Sequence, residues 1–143
     1  MEDFLQTEEI MRKEELQFQF EVYESVDELA APDAELLTAA RNVTGVAYAP
    51  YSKFNVGAVA RLKTGNTVAG TNQENASYPV GLCAERALLA SAAMLYTNIP
   101  IDTMAVSYHN HKAKATNLFL HVECADSILK SMKTEWAIRF ALL

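Results

Sequence analysis

Two strand-like runs, Phe54 to Arg61 and Thr67 to Thr71, are separated by Thr64-Gly65-Asn66. Glycine and asparagine tolerate the positive φ of a tight turn, so this segment predicts a β-hairpin. The next element follows from composition. Cys83 to Tyr96 is rich in Ala, Leu and Met and holds neither Gly nor Pro, which predicts a helix, with Pro100 beyond its end. Upstream, Pro32-Asp33 reads as a turn and N-cap. Leu36, Leu37, Ala40 and Val43 then fall on one helical face that Gly45 ends. Leu16, Phe18, Phe20 and Val22 alternate with Gln17, Gln19 and Glu21, the period of a half-buried strand. Thr103 to Tyr108 is a short, mostly apolar strand. The order strand, helix, hairpin, helix, strand predicts an α/β fold with helices on both faces of a mixed sheet.

The chain has 143 residues, half of them hydrophobic, which suits one domain with its own core. Its net charge of −6 argues against nucleic acid as a partner, because phosphates need Lys and Arg. No apolar run approaches the ~20 residues of a membrane span. Met1 to Leu16 is too polar for a secretory signal, so a cytoplasmic location with reduced cysteines is expected. Residues 1–14 read as a frayed extension, and Met11 is a second candidate start.

Gly81-Leu82-Cys83-Ala84-Glu85-Arg86 opens the second long helix. A helix N-terminus offers unbonded N–H groups and the positive end of the dipole. Cys83 at that point is favoured as a thiolate, the form that binds a soft metal. Glu85 is two residues on, and Arg86 adds positive charge beside the sulfur. The competing reading is a small buried cysteine on an Ala-rich helix.

Wider context decides between them. Tyr48-Ala-Pro-Tyr-Ser-Lys-Phe54-Asn-Val-Gly57-Ala, Gly70-Thr-Asn72-Gln-Glu74-Asn75-Ala-Ser-Tyr78-Pro and Gly81-Leu-Cys83-Ala-Glu85-Arg86 occur in that order. Together they resemble the small zinc-dependent cytidine deaminases, over about Leu36 to Asn117. The resemblance implies a three-layer α/β/α sandwich around a mixed sheet, a homotetramer, and deamination of cytidine or deoxycytidine in pyrimidine salvage. It implies that Cys83 is the first of three thiolate ligands to Zn²⁺ and that Glu85 is the proton shuttle. Asn72 and Glu74 would hold the ribose, Phe54 would pack on the pyrimidine, and Arg86 would offset the ligands' charge. As bland alternatives, Asn72 and Glu74 close the turn after a strand, and Phe54 is core.

The same resemblance requires a later P-C-x-x-C. After Thr116-Asn117 the chain reads Leu118-Phe-Leu-His121-Val-Glu-Cys124-Ala-Asp-Ser127, with no paired cysteine. Synonymous codons permit an explanation. One nucleotide inserted after the Asn117 codon allows the neighbouring frame to spell N-P-I-S-P-C-G-M-C-R-Q. Some steps are nearly forced: Glu123-Cys124 yields only Met or Val, Met132-Lys133 must yield Glu, and Trp136-Ala137 must yield Gly. Residues 118–143 are therefore expected to be a frameshifted tail that costs the fold its last strands and helix, leaving sheet edges unpaired. The alternative is divergence, with His121 and Cys124 joining Cys83 on the metal. Each stands one position early, and a one-residue slip turns a helical side chain by roughly 100°.

Overall fold

The computed structural model describes residues 21–111. Of the strand expected at Leu16–Val22, residues 16–20 lie outside the described residues, and Glu21 and Val22 are not in a strand. The tail from Leu118, with His121 and Cys124, also lies outside them.

Helix α1 spans Ala31–Val43. It starts before the expected Pro32-Asp33 turn: Ala30 is the N-cap and Pro32 sits inside the first turn. Proline's fixed φ suits that turn, where an N–H has no intrahelical partner to lose. A 3₁₀ turn, Thr44–Val46, carries the chain out through Gly45. The hairpin forms as expected, from β1 (Phe54–Leu62) and β2 (Thr67–Thr71). Gly65 takes the positive φ, at 87°. Helix α2 spans Ala84–Leu95, with Cys83 as its N-cap. Strand β3, Ile101–Asn110, is longer than the expected Thr103 to Tyr108.

The sheet order is β2-β1-β3. Both pairings are antiparallel, with Gly57 opposite Thr71 and Ser107. The parallel pairing of a mixed sheet is represented among the described residues only by an isolated bridge, Tyr48 to Gln73.

The period-two alternation of β1 divides the core between two helices. Ala58, Ala60 and Leu62 pack with Val68, Met104 and the α2 residues Leu88, Leu89 and Ala92. Val59 packs with Leu36 and Ala40 of α1. The helices therefore cover opposite faces, and the three layers expected from the sequence are present. Both contacts depend on glycine. A Cβ on Gly57 would lie 2.4 Å from the Ala40 carbonyl oxygen, and one on Gly70 would lie 2.4 Å from the Leu88 nitrogen. Among the described residues, no helix is long and apolar enough to cross a membrane.

Candidate active site

One end of the sheet gathers the described candidate residues: the start of β1, the end of β2 and the start of α2. Beyond β2 the chain continues as a short ladder. The Tyr48 N–H donates to the Asn72 carbonyl at 3.1 Å, and the Glu74 N–H donates to the Tyr48 carbonyl at 2.8 Å. Gln73 and Leu82 exchange both backbone bonds, each at 2.9 Å. That bridge brings Gly81-Leu82-Cys83 beside Asn72 and Glu74, and α2 begins one residue later.

Cys83 is half-buried at the helix entry, where backbone N–H groups and the dipole favour negative charge. Glu85, in the first turn, is 4% exposed, an unusual depth for a carboxylate. Arg86 is exposed beside it.

Asn72 acts as an extra rung of the β1–β2 ladder. Its Oδ1 accepts from the Val56 N–H at 2.7 Å, and its Nδ2 donates to the Phe54 carbonyl at 2.9 Å. Glu74 Oε2 accepts from the Tyr51 and Ser52 N–H groups at 2.9 and 3.2 Å. The Ser52 hydroxyl above all, with the Tyr51 and Ser52 amides and the Lys53 charge, holds the Glu74 carboxyl below the usual glutamate range, against an opposing effect of burial. Neither side chain closes the turn after β2: Asn72 braces β1 and Glu74 braces the turn that precedes it. Phe54 is half-buried, not part of either core cluster, and stacks on Tyr108 with ring centroids 5.3 Å apart and planes 14° apart.

Sequence reasoning had singled out neither Tyr108 nor Ser52. Both lay in segments already read by type, Tyr108 as the end of a strand and Ser52 as part of a motif. Their significance comes from long-range register and from a turn, which the local pattern does not specify.

Among the described residues no three His, Cys, Asp or Glu side chains come together as a metal-binding group. Cys83 is the single expected zinc ligand within them, so the described donor set does not make a zinc site by itself.

A sequence profile described as the cytidine and deoxycytidylate deaminase zinc-binding region matches residues 31–137. A cytidine deaminase of Halalkalibacterium halodurans is 52% identical over 61 residues, 43% of this chain and 44% of that protein. One of Mycobacterium tuberculosis is 51% identical over 45 residues, 32% of this chain and 34% of that protein. The matched stretch is thus less than half the length of these curated relatives. The crystal structure of cytidine deaminase from Mycobacterium tuberculosis superposes with a TM-score of 0.60 at 30% identity, covering 76% of this chain and 85% of that one. The enzyme from Burkholderia pseudomallei gives 0.55 at 34%, covering 66% and 72%.

Proposed function

The chain belongs to the cytidine and deoxycytidylate deaminase family, and from that premise we propose that its reaction is the hydrolytic deamination of cytidine or deoxycytidine to uridine or deoxyuridine. The observation that carries this reading is the bridge between Gln73 and Leu82, which sets Cys83 and the buried Glu85 beside Asn72 and Glu74.

The reaction adds water at C4 of the cytosine ring and breaks the bond from C4 to the exocyclic nitrogen. Glu85 takes one proton from the water and gives it to N3; it then takes the second from the C4 hydroxyl so formed and passes it to the exocyclic amine, which leaves as ammonia while C4 becomes a carbonyl. Burial suits Glu85 to this work, since it keeps the carboxyl at one place in the site and limits its contact with bulk water. Phe54 offers the base an aromatic face, and Asn72 and Glu74 shape the sugar side. Zinc is the cofactor of the proposal, with Cys83 as one donor and Arg86 as the cation that offsets thiolate charge. The other donors must come from outside the described residues. A cytoplasmic homotetramer serving pyrimidine salvage, free of nucleic acid and membrane, completes the proposal.

A second reading is favoured by the sequence after Asn117, which carries no paired cysteine. In it the chain as written is an inactive product with a deaminase fold, and the other zinc ligands lie in the neighbouring frame after Asn117. The deciding experiment compares this chain with a version restored by one nucleotide near that codon. Zinc stoichiometry and cytidine turnover are measured for both. Stoichiometric zinc and turnover in the chain as written would remove the inactive reading. Neither property in the restored chain would remove the deaminase reading. Equal zinc with and without Cys124→Ala would exclude Cys124 as a ligand.

A further inference from the structure

We infer that Tyr108 is a positioning residue of the base site, holding the Phe54 ring in the plane against which a pyrimidine nucleoside stacks. The inference rests on the deaminase reading and deepens it.

Side chains fix Phe54 through two bonds to its own backbone and a third to Val56. The Phe54 N–H donates to Ser52 Oγ at 3.0 Å, and its carbonyl accepts from Asn72 Nδ2 at 2.9 Å. Two residues on, the Val56 N–H donates to Asn72 Oδ1 at 2.7 Å. These bonds place the Phe54 Cα but leave its side-chain torsions open. Tyr108 closes that freedom. It stands opposite Val56, while Phe54 stands opposite Asn110, so the two rings are diagonal neighbours on one face of the antiparallel pair. Val56 packs against the α2 core cluster, so this is the face that α2 covers, and α2 is the helix that starts at Cys83. The rings are near-parallel and offset, at 5.3 Å and 14°.

Both rings are half-buried, so the stack borders the site rather than vanishing into the core. A flat ligand gains most from an aromatic face whose orientation is already set, because less side-chain entropy is lost on binding. The Tyr108 ring supplies that orientation without reaching the reacting atoms.

Calorimetric titration with cytidine tests the assignment in the full chain, its Tyr108→Ala, Tyr108→Phe and Phe54→Ala variants, and the Phe54→Ala/Tyr108→Ala double variant. Tyr108→Ala is expected to weaken cytidine binding about three- to tenfold, the scale of one aromatic pair. Tyr108→Phe keeps the ring and is expected to restore the affinity. In the Phe54→Ala background, Tyr108→Ala is expected to cost nothing further, because its effect passes through Phe54. Full additivity would overturn the inference, since independent structural damage adds. Tyr108→Leu preserves apolar bulk without a ring and carries the same test if the alanine variant fails to fold. Cytidine binding that the alanine or leucine variant leaves unchanged would overturn the Tyr108 assignment alone. Failure of both the full chain and its frame-restored version to bind cytidine would overturn the deaminase reading and this inference with it; where only the restored version binds, the variants are compared in that version.

Discussion

At its Phe54 end, β1 is tied by side chains bonded to peptide groups; at its Arg61 end it is tied by charges. Asn72 spans the Phe54 carbonyl and the Val56 N–H, and Glu74 receives the amides of the preceding turn. At the other end Arg61 meets Asp33 at 3.2 Å and Asp102 at 3.3 Å, and Lys63 meets Asp102 at 2.7 Å. The arginine also donates to the Thr103 hydroxyl and the Pro32 carbonyl, which fastens the start of α1 to β1 and β3. Bonds to peptide groups are short-range and directional, so they fix where neighbouring atoms sit. Charges that keep a quarter to two-thirds of their side-chain surface in water hold elements together while tolerating small shifts, and each pair is worth only ~0–1 kcal/mol. The end that must present a geometry uses the first device. The end that must only stay closed uses the second.

The largest effect is expected where the site helix is seated. Gly70→Ala places a methyl 2.4 Å from the Leu88 nitrogen and 2.5 Å from the Ala84 carbonyl oxygen, both backbone atoms that cannot rotate away. The first turn of α2 must then lift, at a cost of about 3 kcal/mol. The urea midpoint should fall accordingly, and an unchanged midpoint would show that α2 is not held there. Next comes Asn72→Ala, which strips partners from the Val56 N–H and the Phe54 carbonyl in a partly buried position. About 2 kcal/mol is expected. Asn72→Asp sharpens the point. It keeps the acceptor for Val56 but sets an oxygen against the Phe54 carbonyl, so it should recover only part of the loss. Full recovery would mean that the Phe54 bond contributes nothing.

Sequence alone located the parts of this site better than it described their contacts. The hairpin and α2 were readable because Gly65 and the breaker-free run from Cys83 are local signals with direct backbone consequences. The start of α1 was misplaced because Pro32 serves a helix's first turn as readily as a turn before it. Asn72 and Glu74 were legible as important through the family resemblance. Their bonds to β1 and to the Tyr51-Ser52 turn were not, because they depend on a register set by distant pairing. The same holds for Tyr108: period two gives its face, but only the β1–β3 register brings it to Phe54.

Smaller effects separate the two ends by their response to salt. Arg61→Met should cost about 1 kcal/mol at low ionic strength, and the difference from the parent chain should shrink as salt is added. A cost that ignores salt would assign the role of Arg61 to packing of its stem. The finest test uses two carboxylates that are both held below their usual ranges. For Asp102 the leading cause is the Lys63 ammonium, with Thr103 and Arg61 behind it. For Glu74 it is the Ser52 hydroxyl, supported by the two amides. In both, the folded form binds its proton less readily than the unfolded chain. Each therefore contributes stability that is present above the ordinary carboxylate range and is lost as the pH falls through the folded value. Carboxyl-carbon NMR titrations at low and high salt should move Asp102 back toward its ordinary value and leave Glu74 nearly in place, because ions screen a cation but do not displace a hydroxyl bond. Ser52→Ala should do the reverse, raising Glu74 alone. Equal salt shifts at the two carboxylates would mean that the site end, too, is held by charge, through Lys53.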